Sequence, residues 1–240
     1  MSPLYFFKNL CYNIIIERKS IMNYNVNDIK KWFKFFNPEH FTDSDVDNFV
    51  DDLSRVTGFP EFDWEAGATK LCIIPWDTDY VIKIPFDGEM CWDYDDNIYR
   101  FQYFYNGGGD GGWDYCALED EYFVDKIEGT GYERFFLTTD CIIINDWPIY
   151  IQQKVDTYNE SNAYPSNESM MKIRTESKVR GEVSFPDIWM GIGLENFEGN
   201  IKKLDNFLSF LRDNFTDLHP GNIGYFNNQI IILDYAGYDS

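Results

Sequence analysis

Asp217, Asn222 and Asp234 are the residues whose types and spacing could do chemistry. Asn222 follows Asp217 by five positions, in the loop Thr216-Asp217-Leu218-His219-Pro220-Gly221-Asn222, and Asp234 follows Asn222 by twelve. One amide oxygen and two carboxylates converging on a pocket are what magnesium ions bridging two phosphates require, because magnesium takes hard oxygen ligands and keeps several waters. Asp217 can then orient or deprotonate an acceptor hydroxyl.

The surrounding pattern explains how these groups could meet. Asn200 reads as the cap of a helix with Ile201, Leu204, Phe207, Leu208 and Leu211 on one face, ending near Asn214. After the loop come a strand at 223–226, a turn at Asn227-Asn228 and a strand at 230–233, so a short hairpin would return Asp234 beside Asn222. Upstream, Asn27 is the expected cap of a helix carrying Ile29, Trp32, Phe33 and Phe36. Thr42 and Ser44 precede a second helix with Val46, Phe49, Val50, Leu53 and Val56. Strands are expected over 71–74 and 80–84, then at 135–137, 141–144 and 149–155, with a helix opened by Asp114 among them. That is an α+β pattern, one helix inside a mostly antiparallel sheet. Residues 85–112 are acidic and glycine-rich and read as an insertion or hairpin tip; 156–187 read as a polar linker with a short irregular stretch.

On these residues the chain resembles the protein-kinase-like superfamily. Asp217-Leu218-His219-Pro220-Gly221-Asn222 is similar to the catalytic loop, with wording closest to aminoglycoside phosphotransferase-type small-molecule kinases, and Asp234-Tyr235-Ala236-Gly237 stands where the family has its metal-binding aspartate motif. Val81-Ile82-Lys83 resembles the third-strand lysine motif. Gly67-Ala68-Thr69-Lys70 lies one hairpin earlier, where a glycine-containing loop would cover phosphates. The resemblance spans roughly 60–240, and its specific part is the run from Asp217 to Asp234.

What the resemblance implies is a two-lobed fold: an antiparallel N-lobe sheet with one αC-type helix, over residues 58–155, and a minimal, truncated helical C-lobe over 156–240. Residues 25–57 would be a helical N-terminal segment. Residues 1–24 would be an extension, its first 21 residues either loose or a wrongly included upstream start. The activity implied is ATP- and Mg2+-dependent transfer of the γ-phosphoryl group to a hydroxyl of a protein or small molecule. The alternative is a catalytically weak or inactive pseudokinase acting as a nucleotide- or partner-binding module. Lys83 would bind the α and β phosphates, partnered by Glu119 or Glu121, with Glu119 preferred because it shares a helical face with Tyr122 and Phe123. Gly67, Thr69, Lys83, Gln152, Asn222 and Asp234 would contact nucleotide or its metal, with 150–155 as an edge segment receiving adenine on its backbone. Thr216 stands where many regulated protein kinases have arginine. The sequence stops six residues after Asp234, without the activation segment or later helices that hold the acceptor in larger families, so a protein partner could complete the acceptor site.

Each of these residues also has a plain structural reading. Lys83 could be a solvated strand lysine, Glu119 or Glu121 a helix-surface charge, Gly67 a strand bend, Asp217 a turn aspartate and Asn222 a left-handed turn residue. It is their joint order that supports the functional reading. His219 reads as a hydrogen-bonding scaffold, Asp93, Asp95 and Asp96 as a solvated acidic face, and Cys72 and Cys141 as core.

Composition narrows the classes further. The 240 residues carry 20 Lys+Arg against 41 Asp+Glu, a net charge of −21, which repels nucleic acid and anionic lipid. With 44% hydrophobic and 19% aromatic residues, the chain has enough apolar surface for a core. Five separated cysteines suggest neither a disulfide framework nor a zinc knuckle, and point to a cytoplasmic, reducing setting. Two histidines leave no multi-histidine metal centre. No apolar run reaches the roughly 18 residues of a membrane span.

Overall fold

The computed structural model describes residues 23–37, 41–67, 69–94, 97–104, 112–113, 115–157, 193–215, 222–227 and 229–236. Two compact units divide the chain: 1–118 with 138–154, and 119–137 with 155–240. The architecture is α+β with a five-stranded antiparallel sheet.

In the first unit, helix α1 (Val26–Trp32) is capped by Asn25, whose side chain accepts from the Asn27 N–H; the sequence pointed to Asn27 itself. A cap needs extended backbone before the helix, and Asn25 has it at φ −107°, ψ 112°. Helix α2 (Val46–Ser54) follows a single 3-10 turn that Thr42 and Asp45 close by a reciprocal capping box. The Asp45 carboxyl, held by the Thr42 hydroxyl and backbone N–H, lies below its ordinary pKa.

The sheet contains β1 (Phe62–Ala66), β2 (Lys70–Pro75), β3 (Tyr80–Pro85), β7 (Thr139–Ile144) and β8 (Trp147–Gln153), in the order β1-β2-β3-β8-β7. Period-two alternation sends Leu71, Ile73, Ile82, Ile84, Ile142, Ile144, Ile149 and Ile151 to one face. There they share a core with Ile29, Phe33 and Phe36, and with Phe49 and Leu53 of α2. Each such fully buried aliphatic or phenyl side chain contributes about 1.5–3 kcal/mol. Asp140, on the same face, accepts a 2.8 Å hydrogen bond from the Tyr24 hydroxyl, which ties the start of α1 to the sheet. Strands β7 and β8 are joined by Asn145-Asp146, both at positive φ (51° and 65°), the left-handed pair that a tight two-residue hairpin demands.

Residues 85–112, expected to be an insertion or hairpin tip, include strands of a second antiparallel sheet, β4 (Gly88–Asp93), β5 (Ile98–Tyr103) and β6 (Gly112–Trp113). Phe101 and Tyr103 are buried in the main core, which the acidic composition hid. Gly88 is required sterically: a Cβ there would lie 2.5 Å from the Gln102 carbonyl oxygen and from the Phe101 ring. Asp93 is not on a solvated face; it is buried in an ion pair with Arg100 at 3.1 Å. Asp95 and Asp96 lie outside the described residues.

Helix α3 (Tyr115–Tyr122) crosses from the first unit to the second and runs into a π-helical turn at Phe123–Ile127. Cys116, Glu119, Phe123 and Ile127 form its buried stripe. The strand expected over 135–137 is absent: Glu133–Phe135 is a 3-10 turn and Phe136 makes an isolated parallel bridge to Ile232. The second unit is built on α4 (Ile201–Asn214), capped by Asn200, with β9 (Asp156–Thr157), β10 (Ile223–Phe226) and β11 (Gln229–Ile232) in the order β11-β10-β9. Leu204, Phe207, Leu208 and Leu211 of α4 pack with Phe135, Phe136, Phe215, Ile223, Ile230 and Ile232. Among the described residues no helix is long and apolar enough to cross a membrane.

Candidate functional site

Lys83 stands on β3, an interior strand, on the sheet face opposite the isoleucine core. Pairing registers place Cys72 opposite Lys83, Lys83 opposite Tyr150 and Tyr150 opposite Cys141, so one row runs Cys72-Lys83-Tyr150-Cys141 across four strands. Directly paired residues share a face at Cβ separations of about 5 Å. Tyr150 is buried and the other three are half-buried. The two cysteines therefore flank the lysine row instead of entering the core. Their apolar neighbours, Leu71 and Ile73 beside Cys72 and Ile142 beside Cys141, misled the sequence reading, because in a strand it is the neighbours, not the residue between them, that face the core.

Gln152 lies one step along the same face, opposite Val81 and Thr139. Its side chain is buried and its Nε2 donates to Thr139 Oγ1 at 2.6 Å. Strand β8 is not an edge: residues 150–152 are paired on one side with β3 and on the other with β7. Ladder bonds on both sides consume their backbone groups, and pairing with β7 ends at Gln152, so a backbone contact to a base would have to come from Gln153 to Val155. Lys154 N–H donates to Asp79 O at 2.8 Å.

Gly67 and Thr69 bracket the turn from β1 to β2. The Gly67 N–H donates to Lys70 O at 2.9 Å, and a Cβ on Gly67 would meet Lys70 O at an ordinary 3.7 Å. The turn is short, and Gly67 spends its N–H closing it. Phe86 N–H donates to Thr69 O at 2.8 Å, holding the turn against the end of β3. Ala68 lies outside the described residues.

In the second unit Glu119 is buried on α3, at 1% exposure, in line with Phe123. That position is unusual for a surface charge. The side chain of Glu121 lies outside the described residues.

The β10–β11 hairpin pairs Ile223 with Ile232, and the Leu233 N–H donates to Asn222 O at 2.8 Å. Its open end thus carries buried Asn222 on one arm and, one residue past Leu233, Asp234 on the other. Asp234 is half-buried and held at φ 44°, in the left-handed region. Next to it the Tyr235 hydroxyl donates to Leu137 O at 2.9 Å, and Leu137 N–H donates to Ile232 O at 3.0 Å, which fixes the strand end bearing Asp234. An amide oxygen and a carboxylate at one hairpin end are the hard donors that fit magnesium. Asp217, Thr216, His219 and Gly237 lie outside the described residues, as do His40, Asp114, residues 1–22 and 158–192.

Sequence reasoning missed Tyr150 as the neighbour of Lys83, since only strand register pairs residues so far apart in the chain. Comparison with protein-family models, curated proteins and solved structures finds no match.

Proposed function

We propose that the protein is an ATP- and magnesium-dependent phosphotransferase of the protein-kinase-like kind, passing the γ-phosphoryl group to a hydroxyl in a cytoplasmic setting. The observation that carries this reading is the hairpin end with Asn222 and Asp234 on adjacent arms and left-handed backbone at the aspartate. Residues held in sparsely populated backbone regions persist where the surroundings over-determine them, often at ligand sites. An interior strand carrying Lys83 on its non-core face, with helix α3 between β3 and β7 in chain order, supports the strand and helix order expected of the N-lobe.

In this mechanism Lys83 pairs with the α and β phosphates of ATP, and Glu119 holds the lysine. Asn222 and Asp234 would hold magnesium, whose positive charge would offset the charge of the phosphates. Asp217 aligns the acceptor hydroxyl and accepts its proton as the oxygen attacks the γ phosphorus, while the bond from that phosphorus to the β–γ bridging oxygen breaks and ADP leaves. A protein partner would complete the acceptor site.

Thermal-shift titration with ATP and magnesium, followed by a radiolabelled autophosphorylation assay, tests the reading. Asp217→Ala should keep nucleotide binding and lose transfer, whereas Asp234→Ala should lose magnesium-dependent binding. Undiminished binding and transfer in both variants overturns the assignment, and binding by the wild type without any transfer favours the nucleotide-binding module.

A further inference from the structure

Strand β1 closes one side of the main sheet. It pairs with β2 along its whole length, and no strand lies on its other side among the described residues. Phe62 is half-buried, while Asp63, Trp64, Glu65 and Ala66 are all exposed.

The backbone bonds at its two ends define which groups turn outward. Trp76 N–H donates to Glu61 O at 2.8 Å just before the strand, and Gly67 N–H donates to Lys70 O at 2.9 Å just after it. Bonds in an antiparallel ladder alternate residue by residue, so Asp63 and Glu65 bond to β2. Phe62, Trp64 and Ala66 then direct their N–H and C=O groups away from the sheet, a row able to accept another strand.

The side chains state what kind of strand would fit. Asp63 and Glu65 share the non-core face, and Asp63 Oδ2 accepts from Trp76 Nε1 at 2.9 Å, which sets a carboxylate beside an indole that is 53% exposed. Phe62, Trp64 and Ala66 make the other face apolar. A cation opposite the carboxylates would gain both charge pairing and an indole face, with an apolar residue at alternate positions meeting Trp64. A second copy of β1 is a poor occupant, since pairing would set Asp63 and Glu65 against the same carboxylates in a chain of net charge −21.

We propose that the outer edge of β1 is a docking strand for an extended segment of a partner protein in which lysine or arginine alternates with apolar residues. The inference is independent of the phosphotransfer reading.

The probe is a short labelled peptide of alternating lysine and valine, measured by fluorescence anisotropy against the full chain at physiological salt. Saturable binding is expected, weakened about tenfold or more by Asp63→Lys with Glu65→Lys. A peptide of the same sequence with N-methyl groups on its edge-facing amides should lose a similar factor. Ala66→Pro should do likewise while keeping the wild-type melting temperature, because the N–H it removes points outward. Equal binding of the N-methylated peptide, or of a peptide with its lysines and valines in separate blocks, shows attraction by charge alone and overturns the proposal. So does absence of saturable binding, or wild-type self-association that the lysine variants abolish.

Discussion

Replacing Asp234 by glycine and by alanine separates its backbone from its carboxylate. Both variants remove the side-chain contacts equally, so the difference between them reports the backbone at φ 44°. A residue with a Cβ in the left-handed region costs about 1–2 kcal/mol, and glycine escapes that cost but loses about 0.5–1 kcal/mol through the greater freedom of its unfolded chain. At mid-range values Asp234→Gly should therefore be more stable than Asp234→Ala by about 0.75 kcal/mol. At a residue with ordinary negative φ the order reverses by a similar amount. For a chain of this size the gap is about 1–4 °C in melting temperature, readable by calorimetry or circular dichroism. The same two proteins, titrated with ATP and magnesium, should both lose metal-dependent binding. Alanine equal to or more stable than glycine would refute the left-handed hairpin end. Metal-dependent binding retained by either variant would refute the carboxylate as a ligand.

Lys83→Ala should fold as the wild type and bind ATP about 10- to 100-fold more weakly, the worth of a charge-assisted phosphate contact; unfolding of the variant would make Lys83 structural. Tyr24→Phe should cost about 1.5–3 kcal/mol in urea titration by depriving Asp140, buried at 8% exposure, of its donor. Burial first, and the Asp140 carboxylate second, hold the Tyr24 hydroxyl above its ordinary pKa of 10.0. The folded state thus binds that proton more tightly than the unfolded chain, and its stabilisation is intact below pH 10 and lost as pH rises beyond it. Stability should fall on the alkaline side in the wild type and less steeply in Tyr24→Phe, followed by tyrosinate absorbance. Leu204→Ala, which opens a cavity at a fully buried site, should cost about 2–5 kcal/mol in a denaturant titration of the second unit.

Local rules made much of the chain legible. Helix α4 and its Asn200 cap, the strand 223–226 and the turn before β11 stand where periodicity and capping chemistry place them, because the apolar stripe and the cap are satisfied by residues within a few positions. Spacing also brought Asn222 and Asp234 to one place, since a hairpin this short leaves few other registers. The strand expected at 135–137 failed because three apolar residues carry no period, and the burial of Phe135 and Phe136 with α4 and of Leu137 with Ile231 and Leu233 is a tertiary event.

The sequence alone determined the candidate residues and the local elements that carry them: a charged and amide-bearing loop, a lysine in an apolar strand, amphipathic helices of known span. Tertiary structure alone decided that β8 is interior, that Cys72 and Tyr150 are the neighbours of Lys83, that Gly88 admits no side chain, and that Asp93 is buried with Arg100. The physical reason is range. Capping bonds and turn preferences act within one helical turn or hairpin, whereas strand order, register and burial arise from contacts between segments tens of residues apart, which no local pattern encodes.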